Sequence, residues 1–361
     1  MDLSYFSGKL EMYFRYKEIT HERIEPTARE FNEILFANTG SEQLPQVFDT
    51  RPHIPPEHRW LRDTTPVIEY LERDERISRQ SRPVLPPCPV QAFFQRLMED
   101  YADEFLWRPA MWWRWEPSFD RLAMGHRFTY EFAREVPDRY TSPISLRHHI
   151  LSLRQWLLSC RGEDVTTPAK RELLKQQYYE LLDILQGILD KQPFLFGNHP
   201  TLVDFGFAGP FFRHFSSDFT PRKVMQQRAP AVYQWVATLW NCKGSRLSDS
   251  TGFPKAGSLP DNWKPLLRLL PEYLEYYHLN AKAYAEGKGQ FTWVYRGESF
   301  YVPVVHYRAW CRQQLQEAFT SLDSTANATV ESILREYGCW DLLWRDGVID
   351  TPPECDKEPP F

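Results

Sequence analysis

The stretch Phe196-Gly197-Asn198-His199-Pro200-Thr201-Leu202-Val203-Asp204 sets a hydroxyl residue at the mouth of a helix, with a carboxylate three positions on. Thr201 as the cap and Asp204 reaching back to free N–H groups form a capping box, which satisfies donors that a buried helix start would otherwise orphan. Both residues are therefore assigned to folding rather than to ligand contact. The helix they open is predicted from Leu202 to Phe215. Helical periodicity recurs on either side, at Val90 to Trp115, Phe119 to Arg134, Ser145 to Cys160, Pro168 to Leu189 and Ala231 to Trp240. An all-helical domain is expected over 89–250.

The pattern ahead of it is different. Leu10, Met12, Tyr13, Phe14 and Tyr16 interleave with Lys9, Glu11, Arg15 and Lys17, as in a short amphipathic helix from Ser7 to Lys17. A strand is expected at His21–Glu25, a helix from Ala28 to Phe36, and two paired strands at Gln46–Asp49 and His58–Leu61 across a proline-rich loop. Thr65-Pro66 reads as a helix start, with the hydroxyl as cap and proline in the first turn. The charged segment Glu72 to Arg82 and the prolines after it read as a linker. These elements define a first domain over 1–80, with the linker closing at 81–88.

Composition narrows the functional classes. The 361 residues hold 43 Lys+Arg and 48 Asp+Glu, a formal charge of −5, with 42% hydrophobic residues. No basic cluster suits nucleic acid, and no apolar run approaches the ~20 residues of a membrane span. The expectation is a cytoplasmic protein with neither nucleic-acid nor membrane-spanning partner. The six cysteines lack metal-ligand spacing and read as reduced thiols. His148-His149 has no third ligand at suitable spacing, so no metal is expected. Aromatic residues make up 15% of the chain, enough to fill wide helix interfaces or to line an apolar pocket.

Three features of the first domain carry chemistry. Ser4-Tyr5-Phe6-Ser7 precedes a helix whose N-terminus favours an anion such as a thiolate, and Ser7 serves equally as a simple cap. Gln43-Leu44-Pro45-Gln46-Val47 enters a strand through an X-Pro bond; in the cis form it would turn the Leu44 main chain toward a ligand, and in the trans form it is an ordinary strand opening. Asp63-Thr64 places a carboxylate and a hydroxyl at a helix start, suited to an amino-acid moiety or to capping alone.

Taken in order, these motifs resemble the cytosolic glutathione transferases over about residues 1 to 245. The resemblance implies an α+β fold: a thioredoxin-like N-terminal domain, then an all-α glutathione-transferase-type C-terminal domain. Leu44-Pro45 resembles the family's Val-Pro element with its cis proline, Asp63-Thr64 its Glu/Gln-Ser pair, and Thr201…Asp204 its capping motif. It implies glutathione as co-substrate, held by Gln43, Leu44, Pro45, Asp63 and Thr64. Ser4 would be the hydroxyl that activates the sulfur, with Tyr5 and Ser7 as substitutes. Met111 and Trp112 would line the pocket for a small hydrophobic electrophile, core packing being the plainer reading of these aromatics. A homodimer is a further implication. Only Met1, Asp2 and Leu3 precede Ser4, so the first strand of that domain is expected to be truncated.

Residues 251–361 exceed the family's usual length. They read as an extension with a helix from Pro271 to Glu286, a hairpin from Phe291 to Val302 turning at Arg296-Gly297, a helix from Val305 to Leu322, and a polar tail loose at its end. So long an addition favours a second reading, a non-catalytic interaction protein that keeps the fold, as failed-axon-like and metaxin-like relatives do.

Overall fold

The computed structural model describes residues 2–41, 43–78, 81–131, 144–247 and 253–353. The expected loose end of the tail, 354–361, lies outside them, as does Cys355; the other five cysteines are free thiols.

Helix α1 (Tyr5–Tyr16) starts at Ser4, whose Oγ accepts the Ser7 N–H at 3.2 Å. Ser4 is thus the cap and Ser7 lies inside the helix. The polar face expected of α1 is only partly solvated, since Lys9 and Lys17 are fully buried. The strand expected at His21–Glu25 is irregular and exposed, because among the described residues no neighbouring strand offers it a ladder. Helix α2 (28–39) has a π-helical middle, Phe31–Phe36. Strands β1 (Gln46–Phe48) and β2 (Trp60–Arg62) pair antiparallel, with Gln46 opposite Arg62 and Phe48 opposite Trp60. Helix α3 (Thr64–Arg73) begins two residues earlier than expected, with Asp63 rather than Thr65 at the cap position, and α4 (Glu75–Ser78) follows.

Glu72 was read as linker and is instead a buried end of α3. It accepts from Tyr13 Oη at 2.7 Å and from the Val84 N–H at 2.9 Å, and pairs with Lys17 at 2.9 Å. Charge density alone misassigned it, because a buried ion pair looks like a solvated run in sequence.

The helical part runs through α5 (Pro89–Asp100), a π-helical turn (Tyr101–Phe105), α6 (Trp107–Trp115), α7 (Ser118–Glu131) and α8 (Ile144–Trp156) with its π-helical end Leu157–Arg161. It continues with α9 (Pro168–Leu189), α10 (Leu202–Pro210), the π turn Phe211–Phe215, α11 (Phe219–Arg228) and α12 (Pro230–Asn241). Every residue of α10 is buried, and α1, α5 and the Tyr101–Phe105 turn pack around it. Two glycines permit that approach. A Cβ on Gly206 would fall 2.7 Å from Glu99 Cγ, and one on Gly209 would fall 2.6 Å from the Tyr5 ring.

The extension is part of the same core. It contains α13 (Lys264–Leu267), α14 (Leu270–Ala285), the hairpin β3 (Gln290–Tyr295) with β4 (Glu298–Pro303), and α15 (His306–Thr320). The hairpin turns at Arg296-Gly297, both with positive φ (48° and 87°), the geometry of a tight two-residue turn. Beyond the expected elements come α16 (Ser324–Glu336), capped by Asp323, and α17 (Trp340–Trp344). Phe319 meets Trp340 and Trp344, and Phe105 meets Tyr273, Tyr276 and Trp293. One buried apolar cluster consequently extends from Leu3 to Leu343.

Candidate functional site

The β1–β2 register sets Gln46 opposite Arg62, so Leu44-Pro45 before β1 and Asp63-Thr64 after β2, two of the three expected features, share one end of that hairpin. The Leu44–Pro45 peptide bond is cis. The Gln46 amide braces the corner by donating to the carbonyls of Ser41 (2.8 Å) and Gln43 (3.2 Å), and Ser41 Oγ accepts the Gln43 N–H at 3.2 Å. Asp63 is held at φ 68°, a conformation a non-glycine residue adopts only when its surroundings enforce it. Thr64 is buried beside it.

The extension reaches this corner. Tyr307 of α15 donates its phenolic hydrogen to Asp63 Oδ2. Burial pushes the Asp63 carboxyl up, with the Tyr307 hydrogen bond and the Lys9 charge opposing. Next to it, Lys9 donates to Glu99, to Asp103 and, at 3.1 Å, to Thr65 Oγ1. Burial alone would discharge Lys9, but Asp103 and Glu99 together outweigh that and keep it an ammonium. Thr65 in turn donates to Glu99 rather than capping α3.

The carboxylates sort by helical spacing. Glu99 and Asp103 face α1, whereas Asp100 and Glu104 face the extension, where Tyr273 donates to Asp100 and Arg308 to Glu104 Oε2 at 3.1 Å. Burial raises Asp100 to about 7 despite its Tyr273 bond, and raises Glu104 despite Arg308. Arg308 also donates to Tyr276 Oη at 2.7 Å. The run Glu99-Asp100-Tyr101-Ala102-Asp103-Glu104 therefore ties α1, α3 and α15 to the helical part. Sequence reading passed over it, though four acids in six residues within an otherwise apolar helix are a legible sign of buried partners.

The remaining expected site residues separate. Ser4 is half-buried, and its hydroxyl proton is not used by the bond it accepts from Ser7. The backbone just before it is anchored, with the Leu3 N–H donating to Glu131 at 3.0 Å and Arg114 donating to the Leu3 carbonyl at 2.9 Å. Tyr5 is buried and donates to the Ala102 carbonyl, which removes it as a substitute hydroxyl. Ser7 gives its N–H to Ser4. Met111 is half-buried against the core, and Trp112 is buried, edge-on to Trp113 at 5.0 Å between ring centres. Adjacent His148 and His149 meet at 3.9 Å between ring centres, and His126 stacks on His148 at 3.8 Å. Among the described residues no group of His, Cys, Asp and Glu is arranged to hold a metal ion.

Around Thr201 the expected box is present. Asp204 Oδ2 accepts the Thr201 N–H at 2.9 Å, while Oδ1 accepts from the Leu195 N–H at 2.8 Å and Trp235 Nε1 at 3.1 Å. Burial lifts Asp204 to about 6 against these donors.

The helical bundle is centred on the capped, fully buried α10, and a small α/β segment carrying a cis proline is docked on it. Residues 168–238 match the family described as "Glutathione S-transferase, C-terminal domain". The likeness is to that C-terminal domain, and these residues carry it. Among solved structures, a glutathione S-transferase from Rhodospirillum rubrum F11 aligns at 15% identity and a TM-score of 0.41, over 71% of this chain and 94% of that one. No curated protein sequence matches the chain. Among the described residues no helix is long and apolar enough to cross a membrane.

Proposed function

We propose that the protein binds glutathione at the Leu44–Pro45 corner and conjugates its thiolate to a small electrophile. The observation that carries this reading is that the cis Leu44–Pro45 bond, just before β1, and Asp63, just after β2, lie at the same end of the β1–β2 hairpin. An extended tripeptide can pair with the Leu44 main chain there, with its charged amino-acid end beside the Asp63 carboxylate and the start of α3. Ser4, at the positive end of α1 with its hydroxyl proton uncommitted, suits a donor to the sulfur, which favours thiolate over thiol. Gln43 and Thr64 complete the expected contacts. Met111, half-buried, is better placed than Trp112 to border an electrophile.

A second reading, a non-catalytic protein that keeps the fold, is favoured by one specific contact. Tyr307 already occupies one oxygen of Asp63, the group that would grip the peptide. Retention of the full chain on immobilised glutathione, elution by free glutathione and turnover of a chromogenic electrophile decide between the two. The enzymatic reading expects retention, turnover, and loss of turnover in Ser4→Ala with binding kept. Retention without turnover in the unaltered protein leaves the second reading, and no retention by folded protein removes glutathione from both.

A further inference from the structure

Helices α7 and α8 pack against each other and turn apolar side chains outward. On α8 and its π-helical end, Leu146, Ile150, Leu153 and Leu157 recur at intervals of four, three and four residues, and each is more than two-fifths exposed. Leu158 lies beside them, and on α7 Phe119, Leu122 and Tyr130 are exposed in the same way. The reason is local. The two helices meet through small residues, a Cβ on Gly125 falling 2.8 Å from the His148 carbonyl and 2.9 Å from Ser152 Cβ, so the crossing is filled by Gly125, Ser152 and His148. The large aliphatic side chains are left on the outer face. Phe219 extends the patch by packing on Phe119 at 5.2 Å.

The charge around this face is opposite in sign to that of the chain. Residues 118–131 and 144–161 hold five arginines, Arg121, Arg127, Arg147, Arg154 and Arg161, against two acids, in a protein of net charge −5. Both acids are engaged: Asp120 is buried and receives Thr220, and Glu131 receives the Leu3 N–H and pairs with Arg127 at 3.6 Å. Arg154 and Arg161 are exposed among the leucines. A second copy is a poor occupant, because a two-fold contact sets this patch against itself and its arginines against their own kind.

We propose that this face docks on an anionic lipid surface, the two helices lying flat with their leucines among the acyl chains and their arginines at the phosphates. Leucines along the middle of a helix, basic residues at its flanks and aromatic rings at the ends of the companion stripe are the make-up of an interfacial amphipathic element. Such docking needs no membrane-spanning helix, and it sets the protein where apolar small molecules concentrate.

The test is vesicle flotation of the full chain with phosphatidylcholine vesicles, with and without phosphatidylserine. Binding to the anionic vesicles is expected, weakening with added salt. It should fall by about tenfold or more in Ile150→Ser/Leu153→Ser and in Arg154→Glu/Arg161→Glu. Both pairs are exposed, so melting curves should stay as in the unaltered protein. Equal flotation with neutral and anionic vesicles, or none with either, overturns the proposal. So does a dimer in light scattering that the Ile150/Leu153 variant dissolves, which would give the face to a second copy, or binding to an acidic amphipathic peptide without any to vesicles.

Discussion

Tyr307 and Asp63, 244 residues apart in sequence, are joined by a hydrogen bond from the phenol to the carboxylate. It fastens the extension to the end of the β1–β2 hairpin that carries the cis proline. Tyr307→Phe keeps the ring and removes the donor, leaving a half-buried carboxylate oxygen without it. The expected cost is about 1–3 kcal/mol in denaturant unfolding. Asp63→Asn keeps an acceptor for Tyr307 and removes the charge. It should leave stability within about 1 kcal/mol while weakening glutathione binding by about tenfold or more, read by calorimetry. Unchanged affinity in Asp63→Asn would take Asp63 out of the proposed site.

Lys9 pairs with both Glu99 and Asp103, and all three are buried. Lys9→Met should destabilise by about 3–5 kcal/mol, because it strands two carboxylates away from water. Neutralising them in Lys9→Met/Glu99→Gln/Asp103→Asn should recover much of that loss. A triple variant no more stable than Lys9→Met would mean that packing of the lysine stem, rather than its charge, holds α1 in place.

How much of this was readable in advance differs by residue. The capping box was legible because it is local: Thr201 and Asp204 are three apart, and the rule concerns only the backbone between them. The helices of 89–241 and the Arg296-Gly297 turn were legible for the same reason. The buried charges were not. Lys9 finds its partners 90 and 94 residues away, so its position on α1 reads as solvated until the fold brings Glu99 and Asp103 to it. Tyr307 could not be tied to Asp63, since nothing within either segment signals the other. The expected strand at His21–Glu25 failed through neglect of partners, because a short β-rich run becomes a strand only beside another.

Asp204 serves four donors and terminates the start of α10. Asp204→Ala should cost about 3 kcal/mol or more, the sum of a lost cap and two stranded buried donors, measured as a shift in urea midpoint. Thr201→Ala removes a hydroxyl that gives one bond at 3.2 Å to Asp204, and should cost about 1–2 kcal/mol. The order matters more than the sizes: a Thr201→Ala cost equal to that of Asp204→Ala would show that the Leu195 and Trp235 contacts contribute nothing.

Asp100 gives a pH dependence of definite sign. Its carboxyl titrates at about 7 in the folded protein because burial disfavours the charge, against 3.8 when unfolded. Between those values the folded state holds a proton that the unfolded state has released. The contribution is intact below about pH 4 and is lost as pH rises through about 7. Asp204 and Asp218, each at about 6 when folded, act in the same direction over a narrower window. Asp100→Asn is neutral throughout and still offers an oxygen to Tyr273. Its stability relative to the unaltered protein should therefore grow between pH 4 and pH 8, by about 2–4 kcal/mol at most, as followed by urea unfolding at each pH. A constant difference across that range would mean that Asp100 is ionised in both states, with its Tyr273 bond and local solvation outweighing the cost of burial.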